Sequence, residues 1–274
     1  MIHEIAPKEY KVAYQNCTQT QSDTILLFDS DRVCCRLDGE EVAFPKIGDF
    51  ADLEGMDLYY LFSIDDERFF MPHAHGILPP NGYEWHDSNI CRTSKPRHLA
   101  FAIVTARALH QWYNSNKYCG SCGADMGHSE TERACVCTKC GLIVYPKICP
   151  VIIAAVTHGD SLLVTRGKGW AQGRYALVAG FVESGESLED AVRREVFEET
   201  GVHAKNITYY KSQPWGFTST LLSGFYCELD GDPAIHIDEN ELSEAVWLSR
   251  DEIPPATADI ALTAEMMEVF KYDL

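Results

Sequence analysis

The sequence predicts an α+β protein of three units in series: a β-rich N-terminal domain with a connecting helix at 1–115, a four-cysteine module at 116–145, and a third domain of strands and a helix at 146–274. Three observations lead there. Short runs of β-forming residues separated by Asp and Gly turn signals fill the first quarter of the chain. Two copies of a Cys-x-x-Cys-Gly knuckle follow an apolar stretch with helical spacing. Beyond Val151, strand–turn–strand patterning leads into one strongly specified helix.

The N-terminal runs are TILLFDS, RVCCRL, EVAFPKI and LYYLFSI, between residues 24 and 64. After the Pro-Pro-Asn-Gly turn at 79–82, HLAFAIVTARALHQWY at 98–113 places apolar residues at helical intervals and connects to the first cysteine pair. In the third unit VIIAAV, His158-Gly159-Asp160 and SLLV form a strand–turn–strand pattern.

The totals bound the function. A chain of 274 residues accommodates two compact units plus a small insert, and 46% hydrophobic with 23% charged residues is ordinary for a globular protein. With 41 acidic and 23 basic residues, the net charge of −18 repels a long phosphate backbone and disfavours non-specific nucleic-acid coating. A polyanionic substrate still binds where metal ions held by carboxylates supply the positive charge. The start MIHEIAPKEY lacks the basic flank and apolar run of a signal peptide, and no apolar stretch has the length of a membrane span, so the expectation is a cytoplasmic protein without a membrane partner.

Eleven cysteines in a reducing compartment point to metal before disulfides. Cys119-Gly-Ser-Cys122-Gly123 and Cys137-Thr-Lys-Cys140-Gly141 are two copies of one knuckle separated by fourteen residues. Four thiolates on two tight turns make a closed tetrahedral Zn²⁺ site, structural and without chemistry, at one zinc per chain. Cys135 has no partner at that spacing and is expected to be a non-ligand. A pair of redox motifs is the bland alternative, but neither pair opens a helix after a strand.

Residues 180–202 carry the candidate chemistry. Gly180 is followed by Glu186, Arg194-Glu195-Val196, Glu198-Glu199, Gly201 and Val202. Ser187 with Asp190 makes a capping pattern and Gly201 a stop, which predicts a helix over about 188–200. At about 100° per residue, Glu195 and Glu199 fall within about 20° of Leu188, on the apolar face with Ala191, Val192 and Val196. Glu189, Asp190 and Arg193 face away, as an ordinary solvated stripe would. Inward carboxylates without partners cost several kcal/mol, and bound divalent cations resolve that cost. Glu198 lies at the edge of the arc, where Arg194 at i−4 orients it. Carboxylate oxygens select Mg²⁺ or Mn²⁺.

These residues fill every fixed position of G-x5-E-x7-R-E-U-x-E-E-x-G-U, so the segment resembles the signature of the Nudix hydrolases. That resemblance implies an α/β/α sandwich around a mixed sheet and metal-dependent cleavage of a nucleotide pyrophosphate, with Glu195, Glu198, Glu199 and Arg194 as catalytic residues. Downstream, Ser-Gln-Pro-Trp-Gly-Phe at 212–217 resembles the array of NADH pyrophosphatases of the NudC type, which also carry a four-cysteine zinc ribbon and an N-terminal domain. HQWYNSNKYCGSCG, TER at 131–133 and YPKICPVIIAAV at 145–156 extend the likeness, and Gly216 and Thr218 depart from it where the family commonly has proline. By resemblance, the Ala179 carbonyl, Glu195, Glu198, Glu199 and Glu241 hold the catalytic metal. Glu132, Tyr145, Gln213, Pro214, Trp215, Gly216, Phe217, Thr218, Ser219, Thr220 and Ala261 contact substrate, and Phe181 stacks on nicotinamide. Glu239 and Glu244 flank Glu241 closely enough to exchange roles with it.

The implied reaction is NAD(H) plus water giving NMN(H) plus AMP, with removal of NAD caps from RNA 5′ ends by the same pocket and a homodimeric assembly. Two alternatives stay open: a Nudix hydrolase of ADP-ribose or dinucleoside polyphosphates, and a zinc-ribbon nucleic-acid-binding module.

Overall fold

The computed structural model describes residues 1–50, 57–73, 76–255 and 260–273. They fall into two compact units. One comprises Ile2–Lys147 with Gly216–Thr218, and the other Met1, Ile148–Trp215 and Ser219–Leu274. The cysteine module therefore clusters with the N-terminal domain.

In the first unit the β-rich expectation becomes, among the described residues, the strands β1 (Tyr10–Lys11), β2 (Thr24–Ile25), β3 (Phe28–Asp29), β4 (Arg32–Asp38), β5 (Glu41–Ala43), β6 (Leu58–Ile64), β7 (Glu67–Pro72) and β8 (Glu84–Asp87). One sheet has the order β1-β6-β7-β2, and in another β4 pairs with β3, β5 and β8. The β6–β7 hairpin turns through Asp65 at φ +52°, a conformation that Asp tolerates, and buries Phe62, Phe69 and Phe70. Helix α1 (Arg97–Ser115) buries Ala100, Phe101, Ile103, Val104 and Ala106 and leads into the cysteine module. There β9 (Met126–His128), β10 (Cys135–Cys137) and β11 (Ile143–Val144) form a small antiparallel sheet.

The second unit is built on β12 (Cys149–His158), β13 (Ser161–Gly167), β14 (Val178–Phe181), β15 (Ala204–Trp215), β16 (Thr220–Leu229) and β17 (Leu242–Ser249), with helices α2 (Leu188–Thr200) and α3 (Leu262–Tyr272). The order is β15-β16-β12-β13-β17, with β14 on β12; β12 runs parallel to β16 and the other pairs are antiparallel. Strand periodicity decides the layering. Ile152, Ala154 and Val156 pack with Ala191, Val192 and Val196 of α2, whereas Ile153 and Ala155 pack with Leu262, Met266 and Phe270 of α3. A strand buried on both faces reads as the continuous apolar run seen at 151–156. The α/β/α sandwich is thus observed, and burying each valine of α2 contributes about 1.5–3 kcal/mol.

Candidate active site

Helix α2 begins where the capping pattern placed it. The Ser187 Oγ accepts from the Asp190 N–H at 3.1 Å, and Gly201 closes the helix at φ +71°. With this phase fixed, Glu199 is buried at 7% exposure among the core valines, Glu195 is half-buried, and Glu198 is exposed.

Arg194 organises these carboxylates. Its Nε and Nη2 donate to the two oxygens of Glu186, each at 2.8 Å, in a bidentate pair. Nη1 donates to Glu195 at 2.7 Å and to Glu198 at 3.0 Å, and Nη2 also donates to the Phe181 carbonyl at 2.9 Å. The expected i,i+4 pair with Glu198 is present, and Glu195 and Glu186 join it. Glu186 has a site role that sequence reasoning passed over, although its fixed position in the motif was the available signal. The Arg194 guanidinium and the Glu183 N–H hold the Glu186 carboxyl down at about 2.

Burial, with the charges of Glu195 and Glu241, pushes the Glu199 carboxyl up to about 8, and the Ala179 N–H opposes this in part. Burial also raises Glu195, against the pull of Arg194. Glu241 therefore acts on both inward glutamates. Glu244 is engaged elsewhere, accepting from Arg166 Nε at 3.0 Å and Tyr175 Oη at 3.4 Å. A buried carboxyl of raised affinity for protons, beside two other acids, is a site whose charge a divalent cation would neutralise. Among the described residues these glutamates do not close into a cage; the cysteines are the group of three or more potential ligands whose donor atoms all lie within 4.8 Å of one another.

The other expected residues divide by location. Phe181 ends β14, is 57% exposed, and its carbonyl accepts from Arg194. Gln213 differs from expectation: it is fully buried, its Nε2 donates to the Ile260 carbonyl and its Oε1 accepts from the Leu262 N–H, both at 2.7 Å. With no surface to offer a base, it instead fixes the backbone on both sides of Ala261, the residue that precedes α3. Pro214 is exposed and Trp215 half-buried, paired across the hairpin with Leu221 and Thr220. Ser219 takes φ +54° in the turn, and Thr220 is buried.

Residues 216–218 cluster with the N-terminal unit. Gly216 has no room for a side chain, because a Cβ there would meet the Val104 carbonyl oxygen at 2.6 Å. Glycine in place of proline thus admits a close backbone approach. Phe217 lies beneath the Arg92 guanidinium at 4.2 Å, and Thr218 is exposed. In the same unit Tyr145 donates its hydroxyl to Glu132 at 3.1 Å.

The cysteine knuckles are near copies. The Gly123 N–H donates to the Cys119 carbonyl and the Gly141 N–H to the Cys137 carbonyl, with both glycines near φ +73° to +74°. Cys119 and Cys140 sulfurs lie 3.6 Å apart, and Cys122 and Cys137 sulfurs 3.5 Å apart, close to the spacing of about 3.8 Å for thiolates on one tetrahedral zinc. The N–H groups of Cys140 and Lys139 lower the Cys137 thiol to about 6, and those of Cys122 and Ser121 lower Cys119, which favours the ligating thiolate. Cys135 is buried outside this group, as expected, and burial pushes its thiol up to about 11. No helix among the described residues is long and apolar enough to cross a membrane.

Sandwich topology and an arginine-organised glutamate helix define a class, and residues 148–270 match the NUDIX domain family. The chain carries a NUDIX domain. Residues 114–145 match the NADH pyrophosphatase zinc ribbon domain, so the four-cysteine module is a zinc ribbon of that kind. The chain is 45% identical over 146 residues to the NAD-capped RNA hydrolase NudC of Shigella flexneri, covering 53% of this chain and 56% of that one. It is 44% identical to the protein of the same name from Escherichia coli (strain K12 / DH10B), with the same coverage. The match thus spans about half the length of these curated relatives. Among solved structures, a NUDIX hydrolase from Nitrosomonas europaea aligns with 57% of this chain and 90% of its own at 21% identity and a TM-score of 0.48.

Proposed function

We propose that this protein is a metal-dependent pyrophosphohydrolase that cleaves NAD(H) to NMN(H) and AMP and removes NAD caps from RNA 5′ ends. The observation that carries the reading is the Arg194-organised set of Glu186, Glu195 and Glu198 beside buried Glu199, in a NUDIX domain fused to an NADH pyrophosphatase zinc ribbon. The named function of the Shigella and Escherichia relatives supports the choice of substrate.

Glu195, Glu198, Glu199, Glu241 and the Ala179 carbonyl would hold Mg²⁺ or Mn²⁺, which when bound neutralises pyrophosphate charge and lowers the pKa of the attacking water. The remaining work belongs to the chain. Arg194 keeps Glu195 and Glu198 directed to one point and prevents their collapse onto other donors. Glu199, shielded from water and electrostatically burdened, binds charge more strongly than an exposed glutamate. Phe181 offers an exposed ring for the nicotinamide, and Trp215 with Pro214, Phe217, Thr218, Ser219 and Thr220 forms the proposed dinucleotide-reading segment. Gly216 allows that segment's close packing, and Gln213 acts by positioning Ala261. Glu132 and Tyr145 are proposed substrate contacts. Zn²⁺ in the ribbon is structural, and the working form is proposed to be a cytoplasmic homodimer.

The test is AMP release from NADH, NAD-capped RNA and ADP-ribose with Mg²⁺ or Mn²⁺. Faster turnover of ADP-ribose than of either NAD substrate would redirect the reading to another NUDIX substrate.

A further inference from the structure

Outside the carboxylate site, the N-terminal unit contains a second convergence of donor atoms. His73 follows β7, His128 ends β9 of the ribbon, and Tyr59 lies on β6. The Nε2 atoms of the two histidines are 3.1 Å apart, and the Tyr59 hydroxyl is 2.5 Å from Nε2 of His128. These residues border a cavity of about 390 Å³.

A neutral imidazole nitrogen carries either one proton or one in-plane lone pair. Nε2 of His128 therefore makes one good hydrogen bond while two polar atoms press on it. A cation relieves this crowding. Two imidazole nitrogens bound at about 2.0–2.1 Å to one metal, at angles between square and tetrahedral, stand about 2.9–3.4 Å apart, and the observed separation lies within that window. We propose that His73 and His128, with the Tyr59 hydroxyl hydrogen-bonding beside them, form a second metal site, distinct from the ribbon zinc and from the glutamates, which takes a divalent late transition metal such as Zn²⁺.

Two further features support it. The rings are preorganised: Tyr59 stacks on Tyr113 at 4.2 Å and 7°, and meets the rings of His73 and His128 edge-on at 4.8 and 4.5 Å. Ligands held by packing lose little freedom on binding. The cavity provides entry and space for water to complete the coordination. Imidazole donors favour Zn²⁺ over Mg²⁺ and Mn²⁺, which keeps the site chemically separate from the carboxylates. Because His128 belongs to the ribbon sheet and His73 to the segment following β7, the bound ion is a tie between two sheets of one unit.

The experiment uses the full chain with its ribbon zinc in place and millimolar Mg²⁺ present to occupy the carboxylates. Calorimetric titration with Zn²⁺ is expected to show one additional equivalent per chain and a rise in Tm of about 5 °C at saturation. His73→Gln and His128→Gln should each weaken that binding at least about tenfold while the ribbon zinc, measured by elemental analysis, stays at one per chain. Tyr59→Phe, which keeps the ring stack, should weaken it by a smaller factor. Loss of ribbon zinc from a histidine variant would signal misfolding, so long-range ¹H–¹⁵N spectra of the unaltered protein supply the second measurement: added Zn²⁺ should shift the Nε2 signals of two histidines. Absence of a second equivalent, unchanged affinity in well-folded variants, or unmoved histidine signals would each overturn the proposal.

Discussion

A β-carbon on Gly180 would lie 1.9 Å from Cδ of Glu195, so the glycine that opens the motif is the space the Glu195 carboxylate occupies. Strand β14 and helix α2 meet at that point, and only a residue without a side chain lets the carboxylate approach the backbone. Gly180→Ala should therefore displace Glu195 with little change in the fold. A displacement of about 1 Å at a reacting centre costs about 100-fold, so kcat/KM for NADH should fall by about that factor with Tm nearly unchanged. Undiminished activity in the alanine variant would refute the placement of Glu195.

Glu199→Gln should abolish turnover and, without divalent cations, stabilise the protein at high pH. The folded carboxyl is raised from 4.5 to about 8, so folding favours the protonated form. Stability of the metal-free wild type is then fullest below pH 4.5 and declines as pH rises toward 8. The neutral glutamine lacks that decline. Thermal melts in Mg²⁺-free buffer should show the variant above wild type at pH 8.5 and nearer to it at pH 5. Identical pH profiles would mean that Glu199 carries no such strain.

Gln213→Leu separates a positioning role from base reading. Removing the amide leaves the Ile260 carbonyl and the Leu262 N–H buried without partners, at a cost of about 1–3 kcal/mol each. A fall in Tm is expected. If stability instead holds and only KM rises, the side chain reads substrate directly.

Phe181→Ala tests substrate choice. An aromatic stack is worth about 1–3 kcal/mol, so kcat/KM for NADH should drop about tenfold or more. ADP-ribose, which has no nicotinamide, should lose much less. Equal losses on both substrates would mean that the ring shapes the site without reading nicotinamide.

The ribbon should hold zinc through dialysis against weak chelators, because its four donors leave no open position. Cys137→Ser should release it and unfold the 119–144 module, since metal binding and folding are coupled in such sites. Elemental analysis of the reduced protein finding zinc unchanged in the variant would remove Cys137 from the ligand set.

Local chemistry made much of this legible from residues alone. Ser187, Asp190 and Gly201 set both ends of α2, so the inward phase of Glu195 and Glu199 followed from helical geometry. The repeated Cys-x-x-Cys-Gly spelled out two knuckles whose glycines adopt the left-handed conformation their turns require. The apolar run VIIAAV at 151–156, followed by His158-Gly159-Asp160, marked a strand and its turn. These features depend on contacts within a few residues, and sequence spacing specifies them directly.

What only the tertiary structure decided depends on groups distant along the chain. Arg194 reaches Glu186 eight residues away, and Gln213 reaches Ile260 and Leu262 across 47 and 49 residues. Glu244 is engaged by Arg166, which lies 78 residues away from it along the chain. A side chain's type states what it can bond. Which partner it meets, and whether water remains to compete for that bond, is settled by packing, which turned a polar glutamine in a recognition-like segment into a buried bracket for the backbone around Ala261.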